Sequence, residues 1–317
     1  PSPCPVPPLS SSTMRRLLLP VLFLAAACRD AAPPTREFNG EVAFTYLARQ
    51  VGFGYRIPGT PAHAATAAWL DSLLRTRADT LVVQAWSHAS GKGDTLPMVN
   101  FVARFNPAAR ERVLFLAHWD TRPMSDNPNY TGPRTPVPGA NDGASGVAVL
   151  LGMADALQQQ PPTVGVDLLF VDGEDYADFH AEPNDVLIGS RYYAAHQPPG
   201  PKPLYAVLLD LVADRDLRLL PEGQSVLGAP EVVDLVWTVA KEVGHGAVFV
   251  NAPGQGPTLI DDHVELQKAG IRAIDVVDFS YGPDNSYWHT PADSLDKVSP
   301  QSLQVVGDVA MALIRRH

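Results

Sequence analysis

Two strand-length runs that are almost wholly apolar, Arg112–Ala117 and Val164–Val171, stand on either side of a strong helical pattern at Asp142–Gln158. A strand without polar alternation is buried on both faces, which is the habit of parallel sheets. A helix lying between two such strands is the crossover that parallel pairing needs. Val147, Leu150, Leu151 and Ala154 mark the apolar face of that helix. Further strands are expected at Leu204–Leu209 and Ile271–Val277, with helices at Ile188–His196, Ala229–Val243, His263–Ala269 and Ser299–Arg315. Nearer the start, Glu37–Gln50 and Thr60–Arg75 read as helices, and Leu81–Trp86 and Val99–Phe105 as strands joined by the turn-rich Ser90–Asp94. The expected fold is one α/β domain over residues 37–317, a central, mostly parallel mixed sheet with helices on both faces. A chain of 317 residues, 45% hydrophobic, can bury a core of that size.

Residues 14–28 read as a signal peptide: two arginines, a short apolar core, then small residues. That core is too short to span a bilayer as a helix. Ala25-Ala26-Ala27 before Cys28 resembles a bacterial lipobox, with Cys28 as the lipid-bearing residue and 29–36 as a tether, so residues 1–28 form a leader. The expectation is an exported protein, periplasmic or an outer-membrane lipoprotein of a bacterium, touching membrane only through that lipid. A formal charge of -10 argues against a nucleic-acid partner. Cys4 and Cys28 are the only cysteines, so no disulfide staples the domain and no thiolate holds a metal in it.

Ligands of open α/β sheets bind beyond the carboxyl ends of the strands, and that is where the chemistry-bearing residues fall. His118-Trp119-Asp120 ends the first apolar strand, and Gly139–Gly146 (Gly-Ala-Asn-Asp-Gly-Ala-Ser-Gly) leads into the helix. Gly173-Glu174-Asp175 follows the second strand, Asp210 closes the third, and Trp288-His289-Thr290 precedes the last helix. Two imidazoles and at least four carboxylates make the mixed nitrogen and oxygen donor set of a zinc site.

Strand residues two apart share a face, so Asp120 is placed to take the second N–H of His118 and orient its ring. Asp142 opens the helix, where its carboxylate is expected to cap the first turn and still spare an oxygen for a metal. The flanking glycines let backbone come close. Of the adjacent acids Glu174 and Asp175, one can hold an ion while the other moves protons. The remaining histidines, among them His63, His88 and His245, show no partner pattern, whereas His263 in Asp261-Asp262-His263 is expected to support the site. There is no Gly-x-Ser-x-Gly elbow, His-Glu-x-x-His helix, phosphate loop or Gly-x-Gly-x-x-Gly turn.

Taken in order, these motifs with Leu-Leu-Asp210 and Asp261-Asp262-His263 resemble zinc aminopeptidases of the bacterial leucyl type, and most of all their glutaminyl-peptide cyclotransferase branch, over roughly residues 40–315. The resemblance implies that His118 and Asp210 hold one zinc ion, Asp175 and His289 another, with Asp142 bridging. It makes Glu174 the general acid/base, Asp120 the orienter of His118, Asp261 a member of a proton network and Trp288 a wall of the substrate pocket. Cyclotransferases of this kind resemble a one-metal version built on Asp142, Asp175 and His289, and Leu187–Ala194 is also similar to theirs. Ile260 departs from the glutamine of animal cyclotransferases.

The implied activity is conversion of an N-terminal glutamine of a peptide or protein to pyroglutamate with release of ammonia. The alternatives are a zinc aminopeptidase using metal-activated water and a non-catalytic binding domain of the same fold.

Overall fold

The computed structural model describes residues 1–5, 7, 37–252 and 254–317. The chain divides after Thr35, and the account below concerns residues 37 onward. The leader, Cys28 and the tether lie outside the described residues, apart from 1–5 and 7.

Two helices come first, α1 (Gly40–Gly52) and α2 (Pro61–Arg77). Asn39 caps α1 by accepting the N–H groups of Glu41 and Val42, and Thr60 caps α2 with proline at its first position. The strands are β1 (Thr80–Ala89), β2 (Thr95–Phe105), β3 (Arg112–His118), β4 (Gly165–Val171), β5 (Ala206–Asp210) and β6 (Ala273–Val277). They form one mixed sheet in the order β1-β2-β4-β3-β5-β6. β1, β2 and β4 pair antiparallel, whereas β4, β3, β5 and β6 run parallel.

Every residue of β3 and β4 is buried, as their lack of polar alternation requires. On one face Val113, Phe115 and Ala117 pack with α1, α2, α3 (Ala144–Gln159), α6 (Pro230–Glu242) and α8 (Pro300–Arg315). On the other, Leu114 and Leu116 meet Tyr193 of α4 (Ile188–Ala195) and Leu266 of α7 (Asp262–Lys268). The one charge inside β4, Asp167, is tied by the guanidinium of Arg112 at 2.7 and 2.9 Å and by Arg104 at 3.1 Å. A buried carboxylate survives there because neighbouring strands neutralise it on both sides.

Two departures from the sequence reading have plain causes. A short helix, α5 (Gly223–Gly228), forms where none is expected, because Glu222 caps it by accepting the N–H groups of Gln224 and Ser225. Helix α3 begins at Ala144, with Gly143 in the cap position and no side-chain cap bond. Asp142 therefore does not cap the helix, and its carboxylate turns elsewhere.

The chain leaves β3 through α3 to β4 on one side and later returns to β5 on the other side of β3. That reversal opens a crevice at the carboxyl ends of β3, β4 and β5, the general ligand position of such sheets. Glycine allows α3 to sit close above it. A Cβ on Gly146 would lie 2.0 Å from the Leu209 carbonyl oxygen, and one on Gly143 would lie 2.5 Å from His118 Nε2.

Candidate metal centre

A cleft of about 580 Å³ occupies this crevice, lined by Asp142, Glu174, Asp175, Asp210, Asp261, Trp288 and His289. The strand ends deliver the side chains: His118 is the last residue of β3, Asp210 the last of β5, and Glu174 and Asp175 follow β4 after a turn. His118 Nε2 lies 3.1 Å from Asp142 Oδ1 and 3.3 Å from Asp210 Oδ1. His289 Nε2 lies 3.6 Å from Asp142 Oδ2 and 3.4 Å from Asp175 Oδ1. Two groups of three potential donors result, His118/Asp142/Asp210 and Asp142/Asp175/His289, and Asp142 serves both with different oxygens.

The residues present fit zinc. Donors placed around 2.0–2.2 Å from a tetrahedral ion stand about 3.3–3.6 Å from one another; three of the four spacings above fall in that range, and the 3.1 Å between His118 and Asp142 is slightly shorter. Asp175 Oδ2 is buried without a hydrogen-bond partner, as a donor awaiting an ion is. The charge balance agrees. Burial opposes a charge on His118, yet contacts with Asp120, Asp142 and Asp210 raise its basicity well above normal. Burial likewise opposes charge on His289, but Asp175 and Asp126 push it up to about 9. So dense a set of carboxylates favours positive charge at both rings, and a divalent cation would supply such charge.

Glu174 lines the same cleft, buried, with Oε2 4.0 Å from His118 Nδ1. Burial, and then the negative charge of Asp261, raise its pKa well above the carboxylate range. Asp175 goes the other way: burial opposes its charge, but the Arg122 guanidinium and the His289 and His118 rings together outweigh that and hold it down. Two adjacent acids are thus driven apart, one towards holding a proton and one towards staying ionised, as the division of roles between them requires. Asp261 sits at the N-cap of α7, accepting the Asp262 N–H at 2.5 Å. Trp288 stacks on His289 with ring centres 3.6 Å apart, and Phe279 meets its edge.

All nine residues expected at the site come together. Asp120 Oδ1 faces His118 Nδ1 at 3.4 Å, on the side expected of the residue that orients the ring. Its closer partners are the backbone N–H groups of Glu174 and Asp175, each at 3.1 Å. Asp120 therefore anchors the turn that carries both acids. His263 points its Nε2 at Glu222, 3.2 Å away, and does not itself line the cleft; Glu222 in turn accepts the N–H of Leu259, which does. Three other histidines also acquire carboxylate partners from distant segments, His63 with Asp172, His88 with Asp185 and His245 with Asp308.

Sequence reasoning missed Arg56, Arg122, Asp126 and Asp293. Arg56 is fully buried and donates to the carbonyls of Trp119, Pro138 and Gly139, closing the loop that precedes Asp142. Asp126 accepts from His289 Nδ1 at 2.9 Å. The one available signal was the length of the polar loop Thr121–Gly139, since unstructured stretches of that size usually serve a site.

An open α/β sheet with paired donor groups at its carboxyl edge defines a class, that of the zinc exopeptidase fold. The chain belongs to peptidase family M28, whose profile matches residues 100–314. The glutaminyl cyclase of Bacteroides thetaiotaomicron, solved bound to N-acetylhistamine, is 32% identical with a TM-score of 0.83, covering 88% of this chain and 98% of that one. A Zn-dependent exopeptidase from Parabacteroides distasonis is 33% identical with a TM-score of 0.83, covering 90% and 100%. The mouse glutaminyl-peptide cyclotransferase-like protein is 26% identical over 245 residues, 69% of this chain and 60% of that protein.

Proposed function

We propose that the protein is a zinc-dependent glutaminyl-peptide cyclotransferase acting on peptide or protein N-termini. The observation that carries this reading is the meeting of a buried acid with an apolar wall: Glu174 faces a cleft walled by Trp288, Phe279 and Leu259. In this reading Asp142, Asp175 and His289 would hold a zinc ion, which would supply Lewis-acid polarisation of the glutamine side-chain amide. The substrate's own α-amine is the nucleophile. It forms the new C–N bond to the side-chain carbonyl carbon as the bond to the departing ammonia breaks. Glu174 takes the proton lost by the α-amine and returns it to the leaving nitrogen. Asp261 raises the proton affinity of Glu174 for that transfer. The aromatic wall keeps out water, the competing nucleophile, and intramolecular attack brings an effective molarity of about 10⁵ M or more.

A second reading, aminopeptidase, draws support from the complete His118/Asp142/Asp210 group, which supplies donors for a second ion. The test is direct. The protein is incubated with a Gln-initiated peptide and with a leucine anilide, with and without chelator. Chelator-sensitive ammonia release without aniline supports cyclisation; aniline release supports the peptidase and removes the first reading. Export through residues 14–28 and lipidation at Cys28 remain part of the proposal, tested by fractionation and fatty-acid labelling of the wild type and Cys28→Ser.

A further inference from the structure

One guanidinium reaches both sides of the Asp142/Asp175/His289 group. Arg122 Nε and Nη2 form a fork on the two oxygens of Asp126, at 2.8 and 2.5 Å. The same Asp126 accepts from His289 Nδ1 at 2.9 Å. The remaining nitrogen, Nη1, donates to Asp175 Oδ1 at 2.5 Å and to the Ala177 carbonyl at 2.9 Å. All three nitrogens of Arg122 are therefore engaged, and the side chain is only 5% exposed.

The backbone reinforces the arrangement. The N–H groups of Asp126 and Asn127 donate to the His289 carbonyl at 3.2 and 3.4 Å, and Asn127 Nδ2 donates to the Trp288 carbonyl at 2.9 Å. His289 itself has φ of 55°, in the left-handed region that side chains other than glycine's rarely adopt. Nothing local to Trp288-His289-Thr290 supplies a carboxylate for the ring, so the loop Thr121–Gly139 brings one.

We propose that Arg122, acting through Asp126, is the positioning residue of this metal group: it sets the ring of His289 and the rotation of Asp175 in one rigid clamp. Its Nη1 fixes Asp175 Oδ1, the oxygen 3.4 Å from His289 Nε2, while Oδ2 stays buried without a hydrogen-bond partner. The inference rests on the metal-centre reading and not on which amide reaction follows. A planar fork is needed, because a lysine ammonium is a point charge and cannot hold two oxygens of Asp126 while reaching Asp175.

Charge alone predicts the opposite behaviour, since a cation beside a candidate ligand repels a metal. The two roles can therefore be separated by zinc affinity, read by competition with a chelator on metal-free protein. Positioning predicts that Arg122→Gln weakens zinc about 10- to 100-fold, the range for a lost outer partner of a metal ligand, and that Arg122→Lys does not restore it. Asp126→Asn, which breaks the ion pair at a half-buried position, should also weaken zinc and serves if the arginine variants do not fold. Tighter zinc in Arg122→Gln, full rescue by lysine, or unchanged affinity in both Arg122→Gln and Asp126→Asn overturns the proposal. If the wild type binds zinc but forms no pyroglutamate, the cyclotransferase reading fails while this one stands. If the wild type binds no zinc, both fall.

Discussion

Asp293 accepts the backbone N–H of Asp142 at 3.2 Å, from a position 151 residues further along the chain. Its other oxygen takes the Asn141 N–H at 2.7 Å and the Tyr281 hydroxyl at 2.8 Å. Burial, and then the charge of Asp142, push Asp293 up to about 7, so it is held for its acceptor geometry against an electrostatic cost. Asp293→Ala leaves two buried N–H groups without a partner, at about 1–3 kcal/mol each. Urea unfolding of the metal-free protein should show that loss. An unchanged midpoint would mean that Asp142 is held by other contacts.

Replacing Glu174 with glutamine removes the group that moves protons and keeps its shape. Turnover should fall about 10²- to 10⁴-fold, with bound zinc unchanged by elemental analysis. Retention of more than a tenth of the wild-type rate argues against Glu174 as the acid/base.

The buried ion pair between Asp167 and Arg112 gives a stability prediction far from the cleft. Asp167→Ala strands Arg112, only 1% exposed, with its charge uncompensated, which costs about 3–5 kcal/mol. Denaturant titration reads the effect, and a loss below 1 kcal/mol would show that Arg112 finds another partner.

Glu222 supplies the pH dependence. Burial alone would raise it, but His263 and the N–H groups of Leu259, Gln224 and Ser225, with the Ser225 hydroxyl, hold it down to about 2. A carboxylate whose folded pKa is depressed adds stability that is complete above its unfolded value, about 4.3. That contribution is lost as pH falls from there towards about 2. Unfolding free energy should therefore drop more steeply between pH 4.5 and 2.5 in the wild type than in Glu222→Gln. Parallel slopes in the two proteins would contradict this assignment.

Several parts of the molecule were legible because their cause is local. The almost wholly apolar runs ending in Ala117 and Val171 read as strands buried on both faces, the habit of parallel sheets, with the useful residues at their carboxyl ends facing one crevice. Glycine on both sides of Asp142 announced a close approach, which Gly143 makes against His118 and Gly146 against β5. Tertiary structure alone decided the rest. Whether Asp142 caps a helix depends on where α3 starts, and it starts at Ala144, with Gly143 as cap against His118 and Gly146 against Leu209. The partner of His289 lies 163 residues away in a loop with no period to read. Periodicity reports which face of an element is buried, whereas a hydrogen bond between two loops depends on where the whole chain brings them. For that reason the candidate donors that meet in the cleft could be named from the sequence, and the groups that hold them in place could not.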